Sequence, residues 1–237
     1  MAVTVILFVL GAIVGSFLNV VGLRWDWKRP GGRFQNFSGR SHCPKCGKVL
    51  KWYELVPVLS FIHLRAKCSG CRAQISWQYP AVEILTGFIF ATAPLIFLPV
   101  FCVYIVILIY DFRHKIIPNS LVYSSIVLAL VLGNRDLIAG LILFAFFAAI
   151  WLITRGKAIG FGDAKLALSV GLMLGTQQGF SAIILAFWIG AVCGILYMIF
   201  SPKNITMKSE IPFAPFMILG AWLAVIFNLD LLHVSFF

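Results

Sequence analysis

The sequence predicts an all-α polytopic membrane protein of about eight transmembrane helices, with a small cytoplasmic four-cysteine domain between helices 1 and 2. Three observations carry that prediction. Of 237 residues, 61% are hydrophobic and only 11% charged, against roughly 25% charged in soluble domains. The apolar runs are long and continuous rather than alternating. The basic residues and two Cys-x-x-Cys pairs gather in one polar segment after the first run. No soluble core absorbs such an apolar excess, so lipid is the solvent for most of the chain. Backbone groups in a bilayer must pair internally, which leaves helices or closed barrels. Unbroken runs select helices.

The first run, 4–21, has no Lys or Arg before it and a basic segment after it. A cleavable signal peptide has the reverse layout, so this run reads as a retained helix with its N-terminus outside. Further runs fall at 77–93, 95–110, 119–132, 137–153, 164–175, 179–200 and 211–229, the second and third separated only by a Pro94/Pro99 turn. The inside segments 24–72, 112–118, 154–165 and 201–210 then hold 11, 2, 3 and 2 of the 19 basic residues, leaving only Arg135 outside. That asymmetry is a positive-inside signal. Three parts follow: residues 1–23 as the first transmembrane helix, 24–76 as a cytoplasmic domain and 77–237 as the membrane core. No internal repeat or low-complexity tract is evident.

The net charge of +11 does not indicate nucleic acid. The basic cluster flanks apolar spans, where it matches membrane topology and anionic lipid headgroups, and no groove-reading element accompanies it. Membrane lipid is the expected partner of that charge.

The cytoplasmic segment holds Cys43-Pro-Lys-Cys46 and Cys68-Ser-Gly-Cys71, two knuckles separated by 21 residues. Each supplies two thiolates from a tight turn, and tetrahedral zinc takes four. Gly47 and Gly70 stand where those turns tighten. Disulfides are the competing reading, but the topology puts the thiols in the reducing cytoplasm. Cys43, Cys46, Cys68 and Cys71 are therefore the metal ligands of a zinc-binding domain. Four thiolates close the coordination shell, so the metal is structural. Cys102 and Cys193 lie within spans and read as packing residues.

Asp111 ends the third span, and Asp163 opens the sixth within Gly160-Phe-Gly-Asp-Ala-Lys165. The third span runs inward and the sixth runs back, so both carboxyl groups come to the cytoplasmic boundary at similar depth. Ionisable groups there face a bundle interior or an aqueous cavity and mark a functional site. Two carboxylates brought together share one proton. The ionised member can take a proton from water while the protonated member donates to a carbonyl oxygen, which is the acid–base chemistry of peptide hydrolysis. Either aspartate alone has a plainer reading, as a helix-terminus residue or the partner of a nearby cation. The matched depth and the flanking Gly160 and Gly162 favour the joint site. The spacing does not say which aspartate is acid and which base.

His114 reads as an interfacial histidine rather than a metal partner of Asp111, and Lys165 as a snorkelling or helix-anchoring residue. Asp26, Asp136 and Asp230 read as solvated boundary residues. Glu83, near the cytoplasmic end of span two, either hydrogen-bonds within the bundle or lines the cleft.

Together these motifs resemble the bacterial type IV prepilin peptidases, membrane aspartyl proteases of the Gly-x-Gly-Asp class. The likeness covers nearly the whole chain. Gly15-Ser-Phe-Leu-Asn-Val-Val-Gly-Leu-Arg24 is similar to the family's first span and exit, and the four cysteines to its zinc knuckles. Glu54-Leu-Val-Pro-Val-Leu-Ser60 and Tyr79-Pro-Ala-Val-Glu83 are similar to the segments around that domain. Asp111 with Ile117-Pro118, and Gly160 to Lys165, fall on the two catalytic motifs. Pro212-Phe-Ala-Pro215 resembles a late Pro-Phe-Gly-Pro motif with Ala214 in place of Gly, a departure expected to narrow the approach to the site.

The resemblance implies catalytic Asp111 and Asp163, with a prepilin or pseudopilin as substrate, cut after its short basic leader at the cytoplasmic face of the bacterial inner membrane. It also implies methylation of the new N-terminal amine from S-adenosylmethionine, with Glu54 as a candidate residue of that reaction. No Gly-rich nucleotide fingerprint locates an S-adenosylmethionine site. An ion-coupled transporter would equally place aspartates at membrane depth, and an assembly scaffold would use a zinc domain. Neither calls for the glycine-framed Asp163.

Overall fold

A computed structural model describes residues 1–26, 33–34, 40–134, 136–200 and 212–231. The side chain of Asp26, residue Arg135, the inside segment 201–210 and the first residue of the expected span 211–229 lie outside the described residues. The fold is helical apart from a short ribbon, in which β1 (Trp25–Asp26) pairs antiparallel with β2 (Arg33–Phe34). It divides into two compact units, Met1–Thr92 and Ala93–Phe237. The division falls beside Pro94.

In the first unit, α1 (Ala2–Arg24) packs on α3 (Gln78–Thr92). Asn19, fully buried, donates its side-chain amide to the carbonyls of Gly15 and Tyr79, both at 3.3 Å. Between these helices lie the cysteine knuckles, a 3-10 turn (Trp52–Leu55) and the short α2 (Leu59–His63). Phe8 of α1 meets Phe88 of α3 edge to face, with ring centroids 5.2 Å apart.

The second unit contains α4 (Leu98–His114), α5 (Asn119–Leu132), α6 (Leu137–Thr154), α7 (Phe161–Phe200) and α8 (Ala214–Phe227). Its core is built on α4, where Val100, Phe101, Tyr104, Ile105, Ile107 and Ile109 have no exposed surface. Outward-facing apolar residues are abundant: Ile138 and Ile153 on α6 are 69% and 81% exposed. Such faces suit lipid rather than water.

Among the described residues, four helices are long and apolar enough to cross a membrane: Ala2–Arg24, Leu95–His114 (a 3-10 turn and α4), Leu137–Thr154 and Phe161–Phe200. Asn119–Leu132 and Ala214–Phe227 are apolar but shorter. The expected spans 164–175 and 179–200 both lie within α7, which is broken at Gly175 (φ 77, ψ −172). The chain reverses there. A Cβ built on Gly179 would lie 3.5 Å from the Gly171 Cα, whereas eight residues of straight helix rise about 12 Å. The two halves, 161–174 and 176–200, therefore lie against each other.

Asp136 secures that reversal. One carboxylate oxygen accepts from Ala139 N–H at 3.0 Å and caps α6. The other accepts from the Thr176 N–H at 3.1 Å and the Thr176 hydroxyl at 2.5 Å. Asn134 adds a bond to the Leu174 carbonyl at 2.8 Å. Asp136 is thus more than the solvated boundary residue that its surroundings in sequence suggest, because one of its partners, Thr176, lies 40 residues away. These donors, the Thr176 hydroxyl foremost, hold its carboxyl below the ordinary range. Asp230 also departs from expectation, being half-buried with one carboxylate oxygen closed off from solvent.

Candidate active site and thiol cluster

Asp111 sits in the last turn of α4, where its carbonyl accepts from the N–H of Lys115 at 2.8 Å. Lys115 adopts a left-handed conformation (φ 52) that ends the helix, and Pro118 then precedes α5. Asp163 lies in the first turn of α7. Its carboxylate accepts from the Gly160 N–H at 3.1 Å while its own N–H donates to the Gly160 carbonyl at 3.1 Å. That reciprocal pair is a capping arrangement that satisfies donors at the helix start.

A buried rung sets the two helices in register. The Tyr104 hydroxyl on α4 and the Ser169 hydroxyl on α7 are 2.9 Å apart, and both residues are wholly buried. Seven residues forward from Tyr104 is Asp111, and six residues back from Ser169 is Asp163. At about 1.5 Å per residue the two carboxyl groups stand some 10 Å from the rung on the same side.

Both line one cleft of about 520 Å³, along with Ile117, Phe161 and Phe213. They are 4% and 8% exposed, and they lie close enough for the charge on Asp111 to act on Asp163. One oxygen of Asp111 is buried with no hydrogen-bond partner among the described residues. A pair of nearly desolvated carboxyl groups, one with a lone pair unused, can hold a water and polarise a carbonyl.

Two contacts explain why the sequence around the aspartates takes this form. A Cβ on Gly162 would stand 2.9 Å from the Ile117 Cβ, so only glycine lets the start of α7 meet the turn that follows Asp111. Lys165 donates to Asn119 at 2.8 Å and lies over the rings of Tyr123 and Phe161, tying α7 to α5. It anchors the helix end, one of the two roles anticipated for it.

The late proline motif contributes a group that sequence reasoning missed. Ala214, the first residue of α8, is fully buried, and its backbone N–H reaches the Asp111 carboxyl. The side chain that replaces glycine packs inward. Only the fold brings residue 214 there. His114, by contrast, stacks on Tyr110 with ring centroids 4.2 Å apart. Glu83, in the first unit, accepts from the Val58 N–H at 2.8 Å.

In the first unit the four Sγ atoms of Cys43, Cys46, Cys68 and Cys71 lie within 4.8 Å of one another. All are free thiols, with Sγ separations of 3.9 Å (Cys43–Cys71) and 4.0 Å (Cys46–Cys68). The edge of a tetrahedron with Zn–S bonds of about 2.3 Å is about 3.8 Å. The donor set therefore fits zinc in number, chemistry and spacing.

The knuckles are built alike. In the first, the Gly47 N–H donates to the Cys43 carbonyl and the Cys43 N–H to the Lys48 carbonyl, both at 2.9 Å. In the second, Arg72 donates to Cys68 at 2.9 Å and Cys68 to Ala73 at 2.8 Å. Gly47 (φ 70) and Arg72 (φ 57) occupy the same left-handed position. Gly70 does not. Its place is explained by packing, since a Cβ there would meet Lys48 at 3.1 Å. Turn N–H groups of Cys46 and Lys45 bring the Cys43 thiol down, while burial and the neighbouring thiols push Cys46 up, so the four share charge as a set.

The described residues thus combine helices long and apolar enough to span a membrane, two buried carboxyl groups lining one cleft and a four-thiol cluster compatible with zinc. Residues 9–97 match the bacterial peptidase A24 N-terminal domain, and residues 95–195 match the type IV leader peptidase family. The prepilin leader peptidase/N-methyltransferase of Bacillus subtilis is 30% identical over 240 residues, covering 94% of each chain. The protein of that name from Stutzerimonas stutzeri is 29% identical, over 93% of this chain and 89% of its own. That from Myxococcus xanthus is 36% identical over 82% of this chain, which spans 63% of its length. The chain belongs to the type IV leader peptidase family and is an enzyme of that class. No solved structure matches it.

Proposed function

We propose that this enzyme removes the basic leader from type IV prepilins or pseudopilins at the cytoplasmic face of the bacterial inner membrane, with Asp111 and Asp163 as its catalytic pair. The observation that carries the reading is the shared cleft, with both carboxyl groups buried at its wall. One aspartate, ionised, takes a proton from water, whose oxygen attacks the scissile carbonyl carbon. The other, protonated, donates to the carbonyl oxygen. Collapse of the tetrahedral species breaks the C–N bond, and the amine leaves with a proton from the dyad. The pair titrates as a unit. A cleft at helix ends suits a substrate whose cleavage site follows a basic leader and precedes an apolar helix.

In this reading the chain crosses the membrane about eight times with its N-terminus outside. Residues 24–76 form a cytoplasmic zinc-binding domain and 77–237 the protease core. Cys43, Cys46, Cys68 and Cys71 hold a structural zinc ion, whose closed thiolate shell keeps the knuckles folded. The same enzyme then methylates the exposed N-terminal amine, with S-adenosylmethionine as the methyl donor. The relatives' names support this second activity.

Mass spectrometry of a purified prepilin incubated with the enzyme and S-adenosylmethionine tests both halves. The expected product is the mature pilin, one methyl group heavier at its new N-terminus. Uncut prepilin would overturn the reading, and a cut but unmethylated product would reduce it to peptidase alone.

A further inference from the structure

Glu54, the residue that the family resemblance offered for methyl transfer, has its carboxylate fully engaged elsewhere. It is 6% exposed. One oxygen accepts from the Lys51 N–H at 2.7 Å. The other accepts from the Ser69 hydroxyl and pairs with the Lys48 ammonium at 3.1 Å, and Lys48 in turn donates to Ser69 at 2.5 Å. Lys48 stands two residues beyond Cys46 in the first knuckle, and Ser69 lies between Cys68 and Cys71 in the second. The three side chains form a closed triangle that joins the two knuckles. At the far end of the same segment, Val58 takes a left-handed φ of 60, costly for a β-branched residue, and gives its N–H to Glu83 on α3. A carboxylate on each side holds residues 54–58.

We infer that Glu54 is a positioning residue that locks the two cysteine knuckles in register for the metal, and that it does not handle substrate or methyl donor. A carboxylate met by three donors keeps little capacity to act as a base. Its removal frees Ser69 and Lys48 and lets the knuckles part, as happens when outer partners of metal ligands are lost. The inference rests on the thiol cluster being a zinc site, which the zinc content of the unaltered enzyme tests separately.

The experiment uses the full-length enzyme in detergent, loaded with zinc or with cobalt(II). Zinc release to a chromogenic chelator is followed for the unaltered enzyme, Glu54→Gln, Ser69→Ala and the double variant. Glu54→Gln is expected to release zinc about 10- to 100-fold faster. Ser69→Ala should act in the same direction, with the double variant little worse than Glu54→Gln alone, and the cobalt thiolate bands should shift in each. Wild-type release rates and cobalt spectra in Glu54→Gln, with methyl transfer abolished, would overturn the inference and make Glu54 part of the transfer site. Should Glu54→Gln not fold, the mild surface change Ser69→Ala decides: faster release supports the lock and an unchanged rate rejects it.

Discussion

Gly162 lies against Ile117, and a Cβ added to Gly162 would stand 2.9 Å from the Ile117 Cβ. The contact joins the residue before Asp163 to the turn that follows Asp111. The atom it meets is a branch point next to the backbone, with little freedom to yield. Gly162→Ala is therefore expected to push α7 off that turn and lower prepilin cleavage by about 100-fold, the usual cost of misplacing reacting groups by an ångström. Steady-state assays check it, and wild-type cleavage by the variant would refute the role given to the contact.

The reversal at Gly175 depends on Asp136. Loss of a cap costs about 0.5–2 kcal/mol, and Asp136→Ala removes bonds to two helix starts, so its thermal unfolding in detergent should come measurably earlier. Because the folded carboxyl titrates below its unfolded value, its stabilisation is fully present above about pH 4 and is lost only as pH falls through the depressed folded value. The unaltered enzyme and the variant should thus differ in stability at neutral pH and converge in strong acid. Equal stability at neutral pH would contradict the assignment.

The helices were largely legible because lipid-facing runs announce themselves by length: 119–132 and 137–153 reappear as Asn119–Leu132 and Leu137–Thr154. The four thiols were legible because ligand spacing is local. What stayed hidden depends on partners remote in sequence. Asp136 needs Thr176, 40 residues on, and Asp111 receives the N–H of Ala214. The likeness of the two knuckles was legible in their Cys-x-x-Cys spacing, but the second left-handed position was not, because it falls on Arg72 rather than Gly70.

The thiol geometry predicts about one zinc ion per chain, lost when Cys43 and Cys46 are both changed to Ser. Atomic-emission analysis of the purified enzyme measures it. A native preparation free of metal would contradict the assignment.

The central claim is that Asp111 and Asp163 act together on one substrate. Cleavage of a purified prepilin by Asp111→Asn and by Asp163→Asn, each confirmed as folded, tests it most directly. Each variant should lose at least about 100-fold in rate, with the double variant no worse than the poorer single one. Full cleavage by either folded variant would contradict the account.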